Sequence, residues 1–334
     1  MSVSASAEVL SLDTPLTCAC EPSELQVQVS APDLVLLCCP RCGTIVAGQP
    51  VPGEAGPVGL RPLSLSEQES EQVRQSVKVA TDAPLENVLE VVLQATLPIS
   101  LRVAQTRLGV RPGLLTELRD ALDQTQGPAR FLTLQLVARM PVVPRELRSG
   151  ALRAIGMSLG GDPLGAEVLV ALMALYALAE SGARLRSQVE RVLQRISPGR
   201  DELANQTAQI AKAVLTKLDL AETERKQRVV RARGQLIQLV REERLAEAQA
   251  VLTALYPEDD PDDPDGGMIS RMELCEAAAA QLGSGDSDRA ARRTLLSWAL
   301  QCAEVFASWA TSGGEGMARM LAVNRLRDRL KQTH

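Results

Sequence analysis

The chain has 334 residues, 45% of them hydrophobic but only 2% aromatic, and a formal net charge of −5. That length accommodates two or three domains, and the core has to be assembled from Leu, Val, Ala and Met. The negative charge argues against general attraction to phosphate backbones, and the scarcity of Phe, Tyr and Trp argues against stacking platforms for single-stranded nucleic acid.

In chain order, residues 1–15 have no basic start and no apolar run, so no N-terminal signal is expected. Two close cysteine pairs follow: Cys18 and Cys20, then Cys39 and Cys42. Four thiolates in two tight turns suit a tetrahedral zinc ion. Cys38 stands beside Cys39 and is the alternative ligand; Cys39 is preferred because it lies three residues before Cys42. Between the pairs, Leu25 to Val29 alternates apolar and polar as a half-buried strand does, and Ala31-Pro32-Asp33 signals a turn. Leu34–Leu37 reads as a second strand and Thr44–Val46 as a third. The pattern Cys-x-Cys, a short β segment, then Cys-Pro-x-Cys-Gly resembles the small bacterial zinc ribbons found at the N-termini of larger proteins. The resemblance covers residues 16–46 and implies structural Zn2+ held by Cys18, Cys20, Cys39 and Cys42. Residues 1–50 carry five acids against the single Arg41, so protein contact is a better expectation for this ribbon than a grip on phosphates.

Residues 48–63 are rich in Gly and Pro and read as a linker without a core of its own. Ser64 to Ala80 reads as a polar helix with few apolar positions, lying on a surface or between domains. From Asp82 onward the pattern is helix after helix. Pro84 starts the first, with Leu85, Val88, Leu89, Val92 and Leu93 on one face, and Pro98 is expected to stop it. Residues 101–122 resemble a helix-turn-helix: Gly109 allows the turn, and Leu115 and Leu118 dock the second helix. In a DNA-binding reading, Arg111, Thr116 and Arg119 would face the groove. An ordinary helical hairpin is the favoured alternative.

Asp162-Pro163 reads as a cap for a helix that is apolar almost all round through Ala179 and should be central. That run, Val168 to Ala179, has 12 residues, fewer than the ~20 a membrane helix needs. Separate helices are expected after Arg184, after Asp201 and within a hairpin over 222–256, whose second half resembles one tetratricopeptide-type helix without a second copy at the required period. The acidic stretch 257–267 fails both registers of a calcium-binding EF-hand loop and reads as solvated. Ser270 to Glu273 forms a capping box for the next helix. Trp298, Phe306 and Trp309 read as a packed cluster, and Gly313 to Gly316 as a turn opening the last helix.

The only histidine is His334, which excludes Ser-His and Cys-His dyads and histidine-ligated metal within the fold. No nucleotide motif is present, and no pair of carboxylates stands out. Seven cysteines, with Cys38, Cys275 and Cys302 left over after the metal set, suit a reducing cytosol.

The expectation is a mostly α protein. A small β zinc ribbon over 1–47 and a linker over 48–63 precede an all-α multi-helix domain over 64–334, with a candidate subdivision near 257–269. The expected function is a non-enzymatic cytoplasmic scaffold or regulatory protein that engages protein partners. A DNA-binding regulator using 101–122 is the alternative, and no membrane association is expected.

Overall fold

A computed structural model of the chain describes residues 10–11, 18, 20, 25–51, 59–80, 82–196, 202–256, 264–308 and 314–333. The acidic stretch 257–263, Trp309 and the N-terminal residues before Leu10 lie outside them. Among the described residues, thirteen α-helices follow a small N-terminal antiparallel sheet. Among these residues, no helix is long and apolar enough to cross a membrane. Two compact units result: Met1–Ala177 with Arg191–Ile210, and Leu178–Glu190 with Ala211–His334.

In the first unit the strands are β1 (Leu10–Ser11), β2 (Gln26–Ala31), β3 (Leu34–Cys38), β4 (Ile45–Val51) and β5 (Gly59–Pro62). Their order across the sheet is β1-β5-β4-β3-β2, all antiparallel. The three strands read around the cysteines are present, but the sheet runs further. The tail of β4 and the whole of β5 lie in the segment expected to be a linker. Gly48 explains part of that pairing: a Cβ there would stand 2.3 Å from Leu60 Cγ, so only glycine lets fully buried Leu60 lie across β4. β3 is buried along its whole length because both faces are covered. Val35 and Leu37 meet Leu60 on one face, while Leu34 and Leu36 meet Val73 and Val103 on the other.

Val73 and Val103 belong to α1 (Glu67–Lys78) and α3 (Pro98–Gly109), so the sheet shares its core with helices instead of standing apart. α1 was expected to be a polar helix with little to bury. It is seated instead by polar side chains. The buried Glu69 accepts a hydrogen bond from Ile99 N at 2.7 Å, and Gln72 Oε1 accepts from Thr96 N, Leu97 N and the Ser100 hydroxyl. The amides of Leu97 and Ile99 are orphan donors at the start of α3, whose own N-cap, Leu97, has no side chain able to satisfy them. Pro98 accordingly begins α3 and does not merely end α2 (Leu85–Gln94).

The remaining helices of this unit are α4 (Leu114–Asp123), α5 (Pro128–Arg139), α6 (Arg145–Leu159) and α7 (Ala166–Ala177). Leu89, Leu118, Leu122, Leu134, Leu147, Ile155, Leu172 and Leu175 fill the core between them, each under 2% exposed. α7 packs on α5 and α6 as its apolar run implies, yet Met173 and Tyr176 are 43% and 45% exposed, so it is not enclosed all round. Asp162 bonds to Leu164 N at 3.1 Å, forming a turn ahead of α7 instead of its cap.

α8 (Arg186–Arg195) and α9 (Glu202–Arg241) contribute to both units, and α10 (Leu245–Leu255), α11 (Pro264–Ala280), α12 (Asp286–Ser308) and α13 (Gly314–Lys331) complete the second. The two helices expected over 201–241 are one helix of 40 residues. α11 starts at Pro264, ahead of the expected capping box at Ser270. Leu236, Val240, Leu252, Leu274, Leu295 and Leu326 form the shared core of α9–α13. Glu276, 14% exposed, receives Arg325 at 2.8 Å and Arg329 at 2.6 Å and so fastens α13 to α11.

Arginine has a recurrent task in both units. Carbonyls at a helix C-terminus lack intrahelical donors and carry the negative end of the helix dipole. Arg107 donates to Val79 O at the end of α1 and Arg139 to Leu93 O at the end of α2. In the second unit Arg271 serves Tyr256 O after α10, Arg292 serves Leu282 O after α11, and Arg319 serves Phe306 O in the last turn of α12.

Candidate metal centre

The turn between β3 and β4 builds half of the site. Cys39 N donates to Thr44 O at 2.9 Å and Gly43 N to Cys39 O at 3.0 Å, with Gly43 in the left-handed region at φ 70°. This folds residues 39–44 back on themselves and directs two amides at one sulfur: Arg41 N and Cys42 N approach Cys39 Sγ at 3.4 and 3.5 Å. Across from it, Cys20 N approaches Cys18 Sγ at 3.3 Å. Amides aimed at sulfur stabilise the thiolate form that a metal requires.

All four sulfurs of Cys18, Cys20, Cys39 and Cys42 lie within 4.8 Å of one another. Cys18 Sγ is 3.1 Å from Cys39 Sγ and 3.7 Å from Cys42 Sγ. A tetrahedron of thiolates at about 2.3 Å from zinc has edges of about 3.8 Å, so the donors fit a single four-coordinate ion. The separations are too long for a disulfide. The protonation pattern follows from the crowding. Cys42 is drawn below the ordinary thiol range first by its hydrogen bonds to Thr44. Cys20 is pushed up to about 12, chiefly by its hydrogen bond to Cys42, then by desolvation and by Cys18.

The ambiguity between Cys38 and Cys39 resolves on strand geometry. Successive side chains on a strand point to opposite faces. Cys39 joins the cluster, whereas Cys38 is buried, and that burial raises its thiol above the ordinary range. Cys275 is fully buried between helices, which pushes it up to about 12, and Cys302 is half-buried. Neither belongs to the cluster.

The residues proposed for DNA contact are separated in role. α3 and α4 follow one another through a short turn but pack on different helices, α3 on α1 and α2, and α4 on α5 and α6; the left-handed residue of the turn is Gly113 at φ 71°, not Gly109, which has open space around it. Arg111, only 8% exposed, pairs through two nitrogens with Glu117 at 2.7 and 3.2 Å and donates to Ala83 O. Thr116 and Arg119 are exposed. A cavity of about 730 Å³ between the α4–α5 turn and the start of α7 has Asp162 and Glu167 on its wall, with Asp162 already engaged by Leu164 N.

No protein-family model matches the chain, and neither a curated protein nor a solved structure shows detectable similarity to it.

Proposed function

We propose that this is a non-enzymatic, cytoplasmic protein-interaction or scaffold protein whose N-terminal sheet is completed by a structural Zn2+ ion. The observation that carries the reading is the closed donor set. Four cysteine sulfurs converge on one point, and four protein thiolates fill a tetrahedral shell with no position left for water or substrate. Zinc is favoured over other cations because thiolates at tetrahedral spacing select it, together with iron, over magnesium and calcium. Protein partners are favoured for the ribbon because residues 1–50 hold five acids against one arginine. Reduced thiols throughout suit the cytoplasm. Nucleic acid is the less favoured partner, since Arg111 is committed to Glu117.

X-ray absorption at the zinc edge of the purified chain tests the central point. Four sulfur scatterers at about 2.3 Å support it; an oxygen or nitrogen ligand in the shell would overturn the structural assignment. Affinity capture tests the interaction reading: a partner recovered reproducibly by the wild type and lost with Cys42→Ser supports a role for the ribbon, and absence of any specific partner counts against the scaffold assignment.

A further inference from the structure

In the second unit, α9 carries a face over residues 213–234 that is left exposed among the described residues. Its packed side uses Ala211, Val214 and Leu218 early on, then Ala232, Leu236 and Leu239. Between them, the side chains from Asp219 to Arg231 are all exposed or half-buried. On the opposite side, the positions from Ala213 to Gly234 taken in alternating steps of three and four residues are uncharged and exposed without exception. Leu220 and Val230, 58% and 56% exposed, are the apolar centres of this stripe, and a side chain at Gly234 would meet open space. Alternating steps of three and four are the a and d positions of a heptad repeat, and the stripe runs for about 33 Å of helix. The flanking positions are charged: Lys212, Asp219, Lys226 and Arg233 on one side, Lys217, Glu224 and Arg231 on the other. An uncharged seam between charged borders is the pattern that pairs helices.

The border charges decide what the seam accepts. In a parallel pair of identical helices, each border residue ahead of an a position faces the partner's border residue five places on. Those contacts are Lys212 with the partner's Lys217, Asp219 with the partner's Glu224, and Lys226 with the partner's Arg231. All three oppose like charges.

In an antiparallel pair, borders of the same kind meet. One register, centred between Leu220 and Thr223, sets Asp219 against the partner's Lys226 and Lys217 against the partner's Glu224, each twice by symmetry. Only the outlying Lys212 and the partner's Arg233 repel. The other antiparallel registers give fewer attractive contacts or more repulsive ones. In the favoured register Leu220 packs on the partner's Thr223, Ala213 on the partner's Val230, and Thr216 meets the partner's Gln227 at hydrogen-bonding reach. The in-chain contacts of Asp219 with Arg186 and of Lys226 with Glu222 are exposed pairs that tolerate a second neighbour.

We infer that this face of α9 is a self-association surface, on which a second copy of the chain docks its own α9 antiparallel to form a two-fold symmetric dimer. The inference does not depend on the metal assignment.

The test is sedimentation velocity of the full chain from about 5 to 200 µM at low and high salt, with two variants at exposed positions where the fold is not at stake. The wild type is expected to dimerise reversibly, more weakly at high salt because the selecting contacts are ionic. Leu220→Asp places two carboxylates near the two-fold axis and is expected to leave only monomer, with an unchanged far-UV spectrum. Lys226→Glu sets a carboxylate against the partner's Asp219 twice and is expected to weaken dimerisation about tenfold. In a parallel pair the same change would face Arg231 and tighten it. A wild type that stays monomeric throughout, a dimer indifferent to Leu220→Asp, or tightening by Lys226→Glu overturns the proposal.

Discussion

The start of α3 depends on side chains borrowed from α1, and this dependence yields a sharp prediction. Leu97 cannot cap, so the amide of Ile99 is satisfied only by the Glu69 carboxylate at 2.7 Å. Removing a cap typically costs about 0.5–2 kcal/mol, and a buried hydrogen bond to a charged group sits toward or above the top of that range. Glu69 is 8% exposed, so water does not readily replace it, and Glu69→Ala should cost about 2 kcal/mol. For a unit of this size that corresponds to a fall of about 4–8 °C in its melting temperature. Glu69→Gln retains an acceptor but loses the charge that favours a helix N-terminus, so about half the loss is expected. Glu71, two residues on, is the control, because its carboxylate is exposed and meets only the surface side chains of Arg74 and Gln75 on its own helix. Glu71→Ala should change stability by less than about 0.5 kcal/mol. Calorimetry gives the midpoints, and amide exchange at Ile99 reads the cap directly. Equal effects of Glu69→Ala and Glu71→Ala, or an Ile99 amide whose protection survives Glu69→Ala, would refute borrowed capping.

Four further outcomes are expected. Gly48→Ala forces a methyl onto Leu60 and should cost about 1–3 kcal/mol, read as a lower melting midpoint for the first unit; an unchanged melt would mean that β5 can shift freely. The affinity for the proposed zinc ion should fall as the pH is lowered from about 8 to 6, because each thiol, Cys20 above all, must release its proton to solvent before its sulfur can take the metal; competition with a chromophoric chelator measures this, and a pH-independent affinity would contradict the thiolate assignment. Arg111→Ala removes a buried guanidinium, its bidentate pair with the more exposed Glu117 and a carbonyl contact, so chemical denaturation should show a loss of about 2 kcal/mol, against less than about 0.5 for exposed Arg119→Ala; similar values for both would deny Arg111 its role in holding the α3–α4 turn. Glu276→Ala leaves Arg325 and Arg329 without their shared carboxylate, and hydrogen exchange should quicken along α13 while α11 keeps its protection.

What the sequence made legible follows from how local each signal is. The cysteine set was readable because ligand spacing within a tight turn is fixed by covalent geometry, and the four sulfurs do converge. α2 was readable because its apolar residues recur at helical spacing after Pro84, and α7 because a long apolar run follows Asp162-Pro163. The unbroken α9 was not readable, because residues 219–231 contain no fully buried side chain and so offer no continuous apolar period to follow. β5 was hidden for a different reason. Its residues Gly59 to Pro62 have linker composition, and their pairing with β4 depends on Gly48, which is distant in sequence. The seating of α1 was missed because hydrophobic patterning takes polar residues as solvent-facing, whereas Glu69 and Gln72 spend their polarity on another helix.

The adjacency of Cys38 and Cys39 has a consequence for how the sheet assembles. One thiol points into the protein core and the next into the sulfur cluster, at the last residue of β3 and the one after it. Sliding β3 by a single residue against its neighbours would exchange the two faces, presenting the wrong sulfur to the cluster and turning Leu34 and Leu36 away from α1 and α3. A bound ion therefore rewards one alignment of the strand and penalises its nearest competitor. In that capacity a metal held by the four sulfurs would act as a gauge of strand alignment, closing only over a hairpin that has already found its correct pairing.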